Sequence, residues 1–291
     1  MVIIVYLAIV LASVTQSAST KAFNRQSDNS TVFNAIKAVT SFALFALMAV
    51  KGFTFHLPTL FFGLCYGACM CVSMYSGYKA LCLGPMALTS MLVSFSIIVP
   101  LIWGLTVGDE TLSPLRIIAL ILLFGAIILT NADKIFTSRQ NKESGTQKSG
   151  YGLWLLFVGT TFMCNGVCSV LQKQHQSLYP EAFSNEFMFF AMLLCTLIFV
   201  TILLLKNSRE DIKKVNKKWL GALSGLGNGL VGFFTLILAG FENATVLFPV
   251  ISAGTLLSVI LCGRFLFKEK LKINHYFALT AGMLAVVFLK L

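Results

Sequence analysis

Charged side chains are scarce in this sequence. Asp, Glu, Lys and Arg make up 11% of its 291 residues, against about 25% in an ordinary soluble domain. Hydrophobic residues make up 57%, and the mean hydropathy is +0.85. This composition excludes a soluble domain and indicates a protein embedded in a lipid bilayer. The net charge of +11 is clustered between apolar runs, which is typical of membrane-surface electrostatics and not of nucleic-acid binding.

Acidic residues are absent from the middle of every long apolar stretch, so the mid-membrane carboxylate relay that commonly serves proton coupling is not expected. No Gly-rich loop ends in Gly-Lys-Ser or Gly-Lys-Thr, which excludes a Walker-type ATP site. The sequence has no paired catalytic carboxylates and no Ser/His/Asp set. Its three histidines lie at connections or at the ends of apolar stretches and form no metal motif: His56, His175 and His275. We therefore expect no enzyme, no metal site and no cofactor.

Long apolar runs, in contrast, are abundant. The hydrocarbon core of a bilayer is about 30 Å thick, and an α-helix crosses it with about 20 residues. We predict a membrane-spanning helix over each of ten stretches: Val2–Ala22, Thr31–Val50, Pro58–Ala80, Met86–Val107, Pro114–Thr130, Gly152–Val170, Phe187–Leu205, Trp219–Ala239, Ala244–Phe265 and Tyr276–Leu289. The predicted fold is an all-α integral membrane protein with ten transmembrane helices.

The first span has an alternative interpretation, because an apolar start followed by small residues also resembles a secretory signal peptide. A signal peptide opens with basic residues, however, and here the basic residues Lys21 and Arg25 follow the apolar run. Removing this span would also leave nine spans and destroy the two-fold plan described next. We therefore predict that it is retained.

Two halves of the sequence resemble each other. Phe62–Gly67 in span three echoes Leu220–Gly225 in span eight. The two Glu-x-Leu turns, which start at Glu110 and Glu269, are 159 residues apart. We predict a first five-helix repeat at 1–132, a polar linker at 133–149 and a second five-helix repeat at 150–291. Because five is odd, the second repeat enters the membrane in the opposite sense, and inverted repeats of this kind are common in secondary transporters.

The Lys and Arg residues predict an orientation. The odd-numbered connections between spans hold 17 of them, whereas the even-numbered connections and the C-terminus hold four. Cytoplasmic loops carry the excess of Lys and Arg. The count therefore predicts that the odd-numbered connections are cytoplasmic and that both termini lie outside.

The order of these features resembles the EamA-like ten-span branch of the drug/metabolite transporter superfamily. The resemblance rests on the two five-helix halves, on the junction from Tyr78-Lys79-Ala80-Leu81 to Gly84-Pro85-Met86-Ala87, and on the paired Glu-x-Leu turns. It implies that spans three, four, eight and nine surround a central cavity, that spans one, two, six and seven flank it, and that spans five and ten buttress the periphery. It also implies cytoplasmic termini, which the charge count contradicts, so the orientation stays open.

Amide side chains in the middle of spans are the first candidates for a binding site. An amide in hydrocarbon must find a hydrogen-bond partner, so Gln16, Asn165 and Asn228 are expected to face the bundle. Each could bond a neighbouring helix or contact a substrate, and the sequence leaves both interpretations open. The glycines of span eight are expected to serve helix packing.

Hydroxyl side chains of spans three, four and nine suggest a weakly polar, uncharged lining, beside prolines that free backbone carbonyls. Together with the amides they complete the predicted substrate-binding set: Gln16, Tyr75, Tyr78, Ser90, Ser94, Asn165, Asn228, Ser252 and Thr255. Lys37, about two turns inside span two, either snorkels to the interface or attracts an anionic group. Glu110 and Glu269 precede helices five and ten, and each is expected to complement a helix N-terminus.

These features predict a multi-pass secondary transporter in a bacterial cytoplasmic (plasma) membrane. It would move a small polar metabolite, such as an amino acid or a related compound, by alternating access. The alternative is a non-transporting membrane receptor or assembly subunit. The expected partners are a small-molecule substrate and the lipid bilayer, with no nucleic acid, and a homodimer is left open. The substrate, the direction of flux and the coupling ion are not specified by the sequence.

Overall fold

The structure is a computed structural model of the chain. It describes residues 2–24, 30–50, 52–83, 89, 92–140, 151–180, 182–205, 217–265 and 273–290. Within these ranges the chain forms ten α-helices and one 3₁₀ turn, and it has no β-strand. The all-α prediction is therefore confirmed for the part of the chain that the structure describes.

The helices are numbered in chain order, and each overlaps one predicted span: α1 (Val2–Asn24), α2 (Ser30–Ala49), α3 (Leu57–Leu83), α4 (Ile98–Thr106), α5 (Pro114–Gln140), α6 (Tyr151–Leu178), α7 (Ser184–Leu205), α8 (Lys218–Ala239), α9 (Ala244–Phe265) and α10 (Ile273–Lys290). Two helices extend furthest beyond the predicted spans. α5 continues to Gln140, so the start of the predicted linker at 133–149 is helical, and α6 continues to Leu178. Hydropathy marks where hydrocarbon ends, whereas backbone hydrogen bonding can carry a helix further into the polar region.

Six of these helices are long and apolar enough to cross a membrane, over Val2–Thr20, Thr31–Ala49, Leu57–Gly77, Gly152–Leu178, Ser184–Leu205 and Lys218–Ala239. Four shorter apolar helices cover Leu92–Thr106, Pro114–Leu129, Ala244–Leu257 and Ile273–Leu289. The chain is therefore a multi-pass, all-α integral membrane protein. The number of crossings and the inverted repeat remain predictions.

The helices form two compact units, and each unit takes helices from both predicted repeats. Unit 1 comprises Met1–Cys71 and Leu171–Phe241. Within it, α1 packs against α8, and α2 packs against both α7 and α8. One part of its core is a cluster of buried side chains from α1, α2 and α8: Phe23, Val32, Phe33 and Leu220.

Glycines of α8 bring its backbone close to α2. Gly221, Gly225 and Gly229 recur every four residues and therefore share one helix face. A Cβ atom at Gly225 would lie 2.5 Å from the Lys37 carbonyl oxygen, closer than any real side chain allows. At the same level Ser41 Oγ donates a hydrogen bond to the Gly225 carbonyl oxygen over 2.7 Å. This contact agrees with the packing role that the sequence predicts for these glycines.

Unit 2 comprises Val72–Val170 and Glu242–Leu291. Within it, α5 packs along α10, and α9 contacts α4, α5 and α10. Leu123, Ile127, Ala253 and Ala285 form a buried cluster among these helices. Prolines interrupt two of them: Pro249 lies inside α9, and Pro100 lies in the first turn of α4, directly after the 3₁₀ turn Phe95–Ile97.

The contacts of Glu110 differ from those that the sequence predicted. Its carboxylate does not complement the N-terminus of α5, the helix that follows it. Instead Oε1 accepts a hydrogen bond from the Ala244 amide at 2.7 Å and Oε2 accepts one from the Thr245 amide at 2.8 Å, so Glu110 caps α9. Gly104 leaves room for this carboxylate, because a Cβ there would lie 2.9 Å from Glu110 Oε2. Glu269 lies outside the described residues.

Candidate functional site

Two of the predicted binding residues meet directly in unit 1. Gln16 Nε2 on α1 donates a hydrogen bond to Asn228 Oδ1 on α8 over 3.1 Å. One turn along each helix, the hydroxyl oxygens of Thr20 and Ser224 lie 3.1 Å apart. The residue numbers rise on α1 and fall on α8, so the two contacts form a polar ladder between antiparallel helices. Gly227 permits the approach, since a Cβ there would lie 2.7 Å from the Ala12 carbonyl oxygen.

The amide pair retains hydrogen-bonding capacity. An amide side chain offers two N–H donors and an acceptor oxygen, and the Gln16–Asn228 contact uses one donor and one acceptor. The Gln16 Oε1 acceptor and the Asn228 Nδ2 donors make no hydrogen bond within the described part of the chain. Both side chains are half-buried. The pair can therefore tie α1 to α8 and still present an acceptor and donors to a further polar group.

A second ladder of the same kind lies in unit 2, between α3 and α6. Ser73 Oγ donates to Asn165 Oδ1 over 2.5 Å, and the hydroxyl oxygens of Ser76 and Thr161 lie 2.8 Å apart. Again the numbers rise on one helix and fall on the other. Gly77 keeps the two helices close, since a Cβ there would lie 3.3 Å from Thr161 Cγ2. Ser73, Ser76 and Thr161 were not among the predicted binding residues.

The other predicted binding residues lie outside the two polar ladders. The Tyr75 side chain is 51% exposed, and its ring centroid lies 5.9 Å from Lys79 Nζ. Three half-buried hydroxyl residues of unit 2 lie beside the 3₁₀ turn or on α9: Ser94, Ser252 and Thr255. Ser90 lies outside the described residues, as does the side chain of Tyr78. The role of the predicted set in binding remains a prediction.

A polar network that the sequence did not predict lies in unit 1, where α3 begins and α6 ends. His56 Nδ1 lies 2.9 Å from Thr59 Oγ1, which lies 3.0 Å from His175 Nε2. The other ring nitrogen of His175 lies 3.2 Å from Gln176 Nε2. Thr59, His175 and Gln176 are each 0% exposed, whereas His56 is half-buried. The network therefore leads from a partly accessible imidazole to a fully buried one.

Aromatic rings enclose both imidazoles. The Phe183 ring stacks on His56 with centroids 4.4 Å apart and an interplanar angle of 5°, and the Tyr179 ring meets His56 edge-on at 4.7 Å. Phe187 packs against His175 at 4.9 Å. Phe183 has a φ of 56°, a left-handed conformation that costs a non-glycine residue about 1–2 kcal/mol. Strained residues of this kind concentrate at functional sites.

Glu186 holds the loop that carries His56. Its Oε1 accepts hydrogen bonds from both the backbone amide and the hydroxyl of Thr54, each over 3.1 Å. The Glu186 side chain is 7% exposed, whereas Thr54 is exposed, so these bonds are only partly buried. In the described part of the chain, no group of three or more His, Cys, Asp or Glu side chains is arranged to hold a metal ion.

Comparison with known proteins defines the fold but not the family. No family model and no curated protein matches this chain. Its fold is shared with solved proteins. The structures that match comprise 28 chains, among them a crystal structure of a protein that aligns over 99% of this chain and 96% of its own. The TM-score of that alignment is 0.77 and the sequence identity is 13%.

Proposed function

We propose that the chain is a secondary transporter that moves a small polar metabolite across the membrane by alternating access, and that it belongs to the EamA-like ten-span branch of the drug/metabolite transporters. The observation that carries this proposal is the recurrence of one polar ladder in both units. An amide contact and a hydroxyl contact, about one turn apart, join α1 to α8 and also α6 to α3. If residues 1–132 and 150–291 are inverted repeats, these two helix pairs are equivalent.

The packing of other helices supports the same plan. In unit 1, α2 packs against α7, and in unit 2, α4 packs against α9 and α5 against α10. Each of these pairs joins a helix to its counterpart five helices later in the chain. A two-fold axis brings equivalent elements together in this way. Ten crossings and an inverted repeat, the usual construction of secondary transporters, follow as part of the proposal.

The amides of Gln16 and Asn228 are the proposed substrate contacts. Their unused acceptor and donors complement a polar, uncharged or zwitterionic group, as in an amino acid or a related compound. A buried polar group left unpaired costs about 1–3 kcal/mol. The site therefore favours a substrate that supplies the missing hydrogen bonds over an apolar analogue.

A thermal-shift screen of the purified protein against a metabolite library would identify ligands, and uptake into proteoliposomes would then test transport. Gln16→Leu and Asn228→Leu should each raise the ligand concentration that produces a given thermal shift about tenfold. Thr160→Val is the matched control, because the Thr160 hydroxyl is exposed and bonds only its own helix, at the Leu156 carbonyl oxygen. Unchanged affinity in both Leu variants would remove these amides from the site. Binding without uptake would favour the receptor or assembly subunit instead.

A further inference from the structure

The hydrogen bonds around His175 have a defined direction. Gln176 Nε2 lies 3.3 Å from the Ala182 carbonyl oxygen and 3.1 Å from Ser184 Oγ, besides its contact with His175 Nδ1. A carbonyl oxygen only accepts hydrogen bonds and an amide nitrogen only donates them. Because the amide nitrogen cannot accept, the contact with His175 Nδ1 is a hydrogen bond only when Nδ1 accepts, and the His175 ring then carries its hydrogen on Nε2. That N–H donates to Thr59 Oγ1, and the Thr59 hydroxyl donates to His56 Nδ1.

A proton added to His175 would disrupt this arrangement. It would go to Nδ1, where the new N–H would face the N–H groups of the Gln176 amide. Gln176 could accept it only by rotating its oxygen towards the ring, and that oxygen would then face the Ala182 carbonyl. Donor against donor or acceptor against acceptor is a repulsive contact in a buried site. The protonation of His175 is therefore linked to the hydrogen bonds of the turn between α6 and α7.

The bridge through Thr59 connects this site to the partly accessible His56. From the charged state of His175, the Nε2 proton can pass to Thr59 Oγ1 while the Thr59 hydroxyl proton passes to His56 Nδ1. This shift moves one positive charge from His175 to His56 and leaves His175 neutral, with its hydrogen on Nδ1. The reverse shift charges His175 from His56. Chains of Asp, Glu and His side chains serve as proton relays in membrane pumps and transporters.

In the part of the chain that the structure describes, the other titratable groups of the surrounding elements make different contacts. Tyr179 of the turn contacts His175 through its ring, with centroids 5.4 Å apart. Glu186 of α7 accepts hydrogen bonds from Thr54, and Lys173 of α6 donates to the Ala239 carbonyl oxygen over 3.0 Å. Tyr66 of α3 packs against Phe187. Among the described residues, the Thr59 hydroxyl provides the hydrogen-bonded link between His56 and His175.

We propose that His175 is a proton-binding site, reached through His56 and Thr59, whose occupancy sets the hydrogen bonding of the α6–α7 turn. Where the proposed transport function holds, this site makes the proton the coupling ion. A buried histidine then performs the task for which the middle of the spans offers no carboxylate. Only this coupling step rests on the proposed function.

The proton itself is the first probe, on the full-length protein in lipid nanodiscs. Nitrogen NMR of ¹⁵N-labelled histidine should show His175, assigned by its loss in His175→Gln, with hydrogen on Nε2 at high pH. A fluorophore on Leu178→Cys, whose parent side chain is 53% exposed at the end of α6, should respond to the same pH titration. The response should vanish in His175→Gln and Thr59→Val. It should survive in Thr59→Ser, which keeps the hydroxyl, and in His275→Gln, the matched control in unit 2.

An Nδ1–H tautomer at high pH in the unaltered protein would overturn the proposal, and that measurement needs no variant to fold. A fluorophore response that persists in His175→Gln would overturn it as well. Coupling is tested separately with a compound found to be transported: an imposed pH gradient should stimulate uptake by the unaltered protein and not by His175→Gln. Transport with equal stimulation in both would refute the coupling and keep the transport function. A pH response of the fluorophore without any transported compound would support the proton-binding site and refute the transport function together with the coupling.

Discussion

The contact between α2 and α8 can be tested by adding one methyl group, with Gly225→Ala. The new Cβ would lie 2.5 Å from the Lys37 carbonyl oxygen, 2.9 Å from Thr40 Cβ and 3.1 Å from Lys37 Cα. Carbon atoms pack without strain at about 3.5–4.0 Å. Two of these three neighbours are backbone atoms, which cannot move aside by changing a rotamer. The helices must therefore separate by about 1 Å to reach that spacing, and the hydrogen bond from Ser41 to the Gly225 carbonyl would lengthen.

The expected cost is a loss of about 1–3 kcal/mol in the free energy of unfolding, the range for overpacking a tight interface. Unfolding of the purified protein in detergent micelles by increasing fractions of dodecyl sulfate would measure it. Gly159→Ala is the matched control. Gly159 lies inside α6 with nothing within 4 Å of its Cβ position, so alanine there should preserve stability or raise it by up to about 1 kcal/mol.

Gly229→Ala supplies an intermediate case. Its Cβ would meet the end of a side chain, Phe45 Cε2, at 3.3 Å. A ring can shift by a few tenths of an ångström where a backbone carbonyl cannot, so the loss should be smaller than for Gly225→Ala. If all three variants unfold at the same dodecyl sulfate fraction, the close approach of the two backbones at Lys37 and Gly225 is wrong.

Two further predictions concern single contacts, and a third concerns the distribution of Lys and Arg. Glu110→Ala should cost about 1.5–3 kcal/mol of unfolding free energy for each charge-assisted bond lost at the start of α9, and Glu110→Gln, which keeps an acceptor, should cost less in the same dodecyl sulfate titration. A double-mutant cycle of Ser76→Ala and Thr161→Val should give a coupling energy of about 0.6 kcal/mol, whereas additive losses would mean that the two hydroxyls do not interact. Single cysteines placed in residues 207–218 of a cysteine-free background should resist an impermeant maleimide in intact cells, since the Lys and Arg bias predicts a cytoplasmic loop; ready labelling would instead favour cytoplasmic termini.

The positions of the helices could be predicted because the bilayer imposes a length and a composition on any helix that crosses it. Every helix in the described ranges overlaps a predicted span. The helix ends were predicted less well, as the extension of α5 to Gln140 demonstrates. Hydropathy reports on the solvent around a segment, whereas a helix ends where its backbone hydrogen bonds end.

For the amide side chains, the sequence predicted that a hydrogen-bond partner is needed but did not identify that partner. Desolvation requires a partner for Gln16 wherever the helix lies in hydrocarbon, and a partner is present. Its identity depends on the packing of α1 against α8, which brings together residues 212 positions apart in the chain. The same applies to Glu110, whose carboxylate was expected at the nearest following helix and instead caps one that begins 134 residues later. Local rules predict that a polar group needs a partner, and only the tertiary structure supplies it.

The histidine network was not predicted for a further reason, which is that Thr59 links the two histidines. Sequence reasoning weighed His56 and His175 as separate residues at span ends, where a histidine has water or headgroups as partners. Thr59 carries no charge and belongs to no motif, yet its hydroxyl joins His56, three residues away, to His175, 116 residues away. A hydroxyl can donate and accept at once, so it joins two separate imidazoles into one hydrogen-bonded network. Replacing Thr59 by valine should therefore alter both histidine resonances, whereas replacing either histidine should leave the hydroxyl one partner short in a fully buried position.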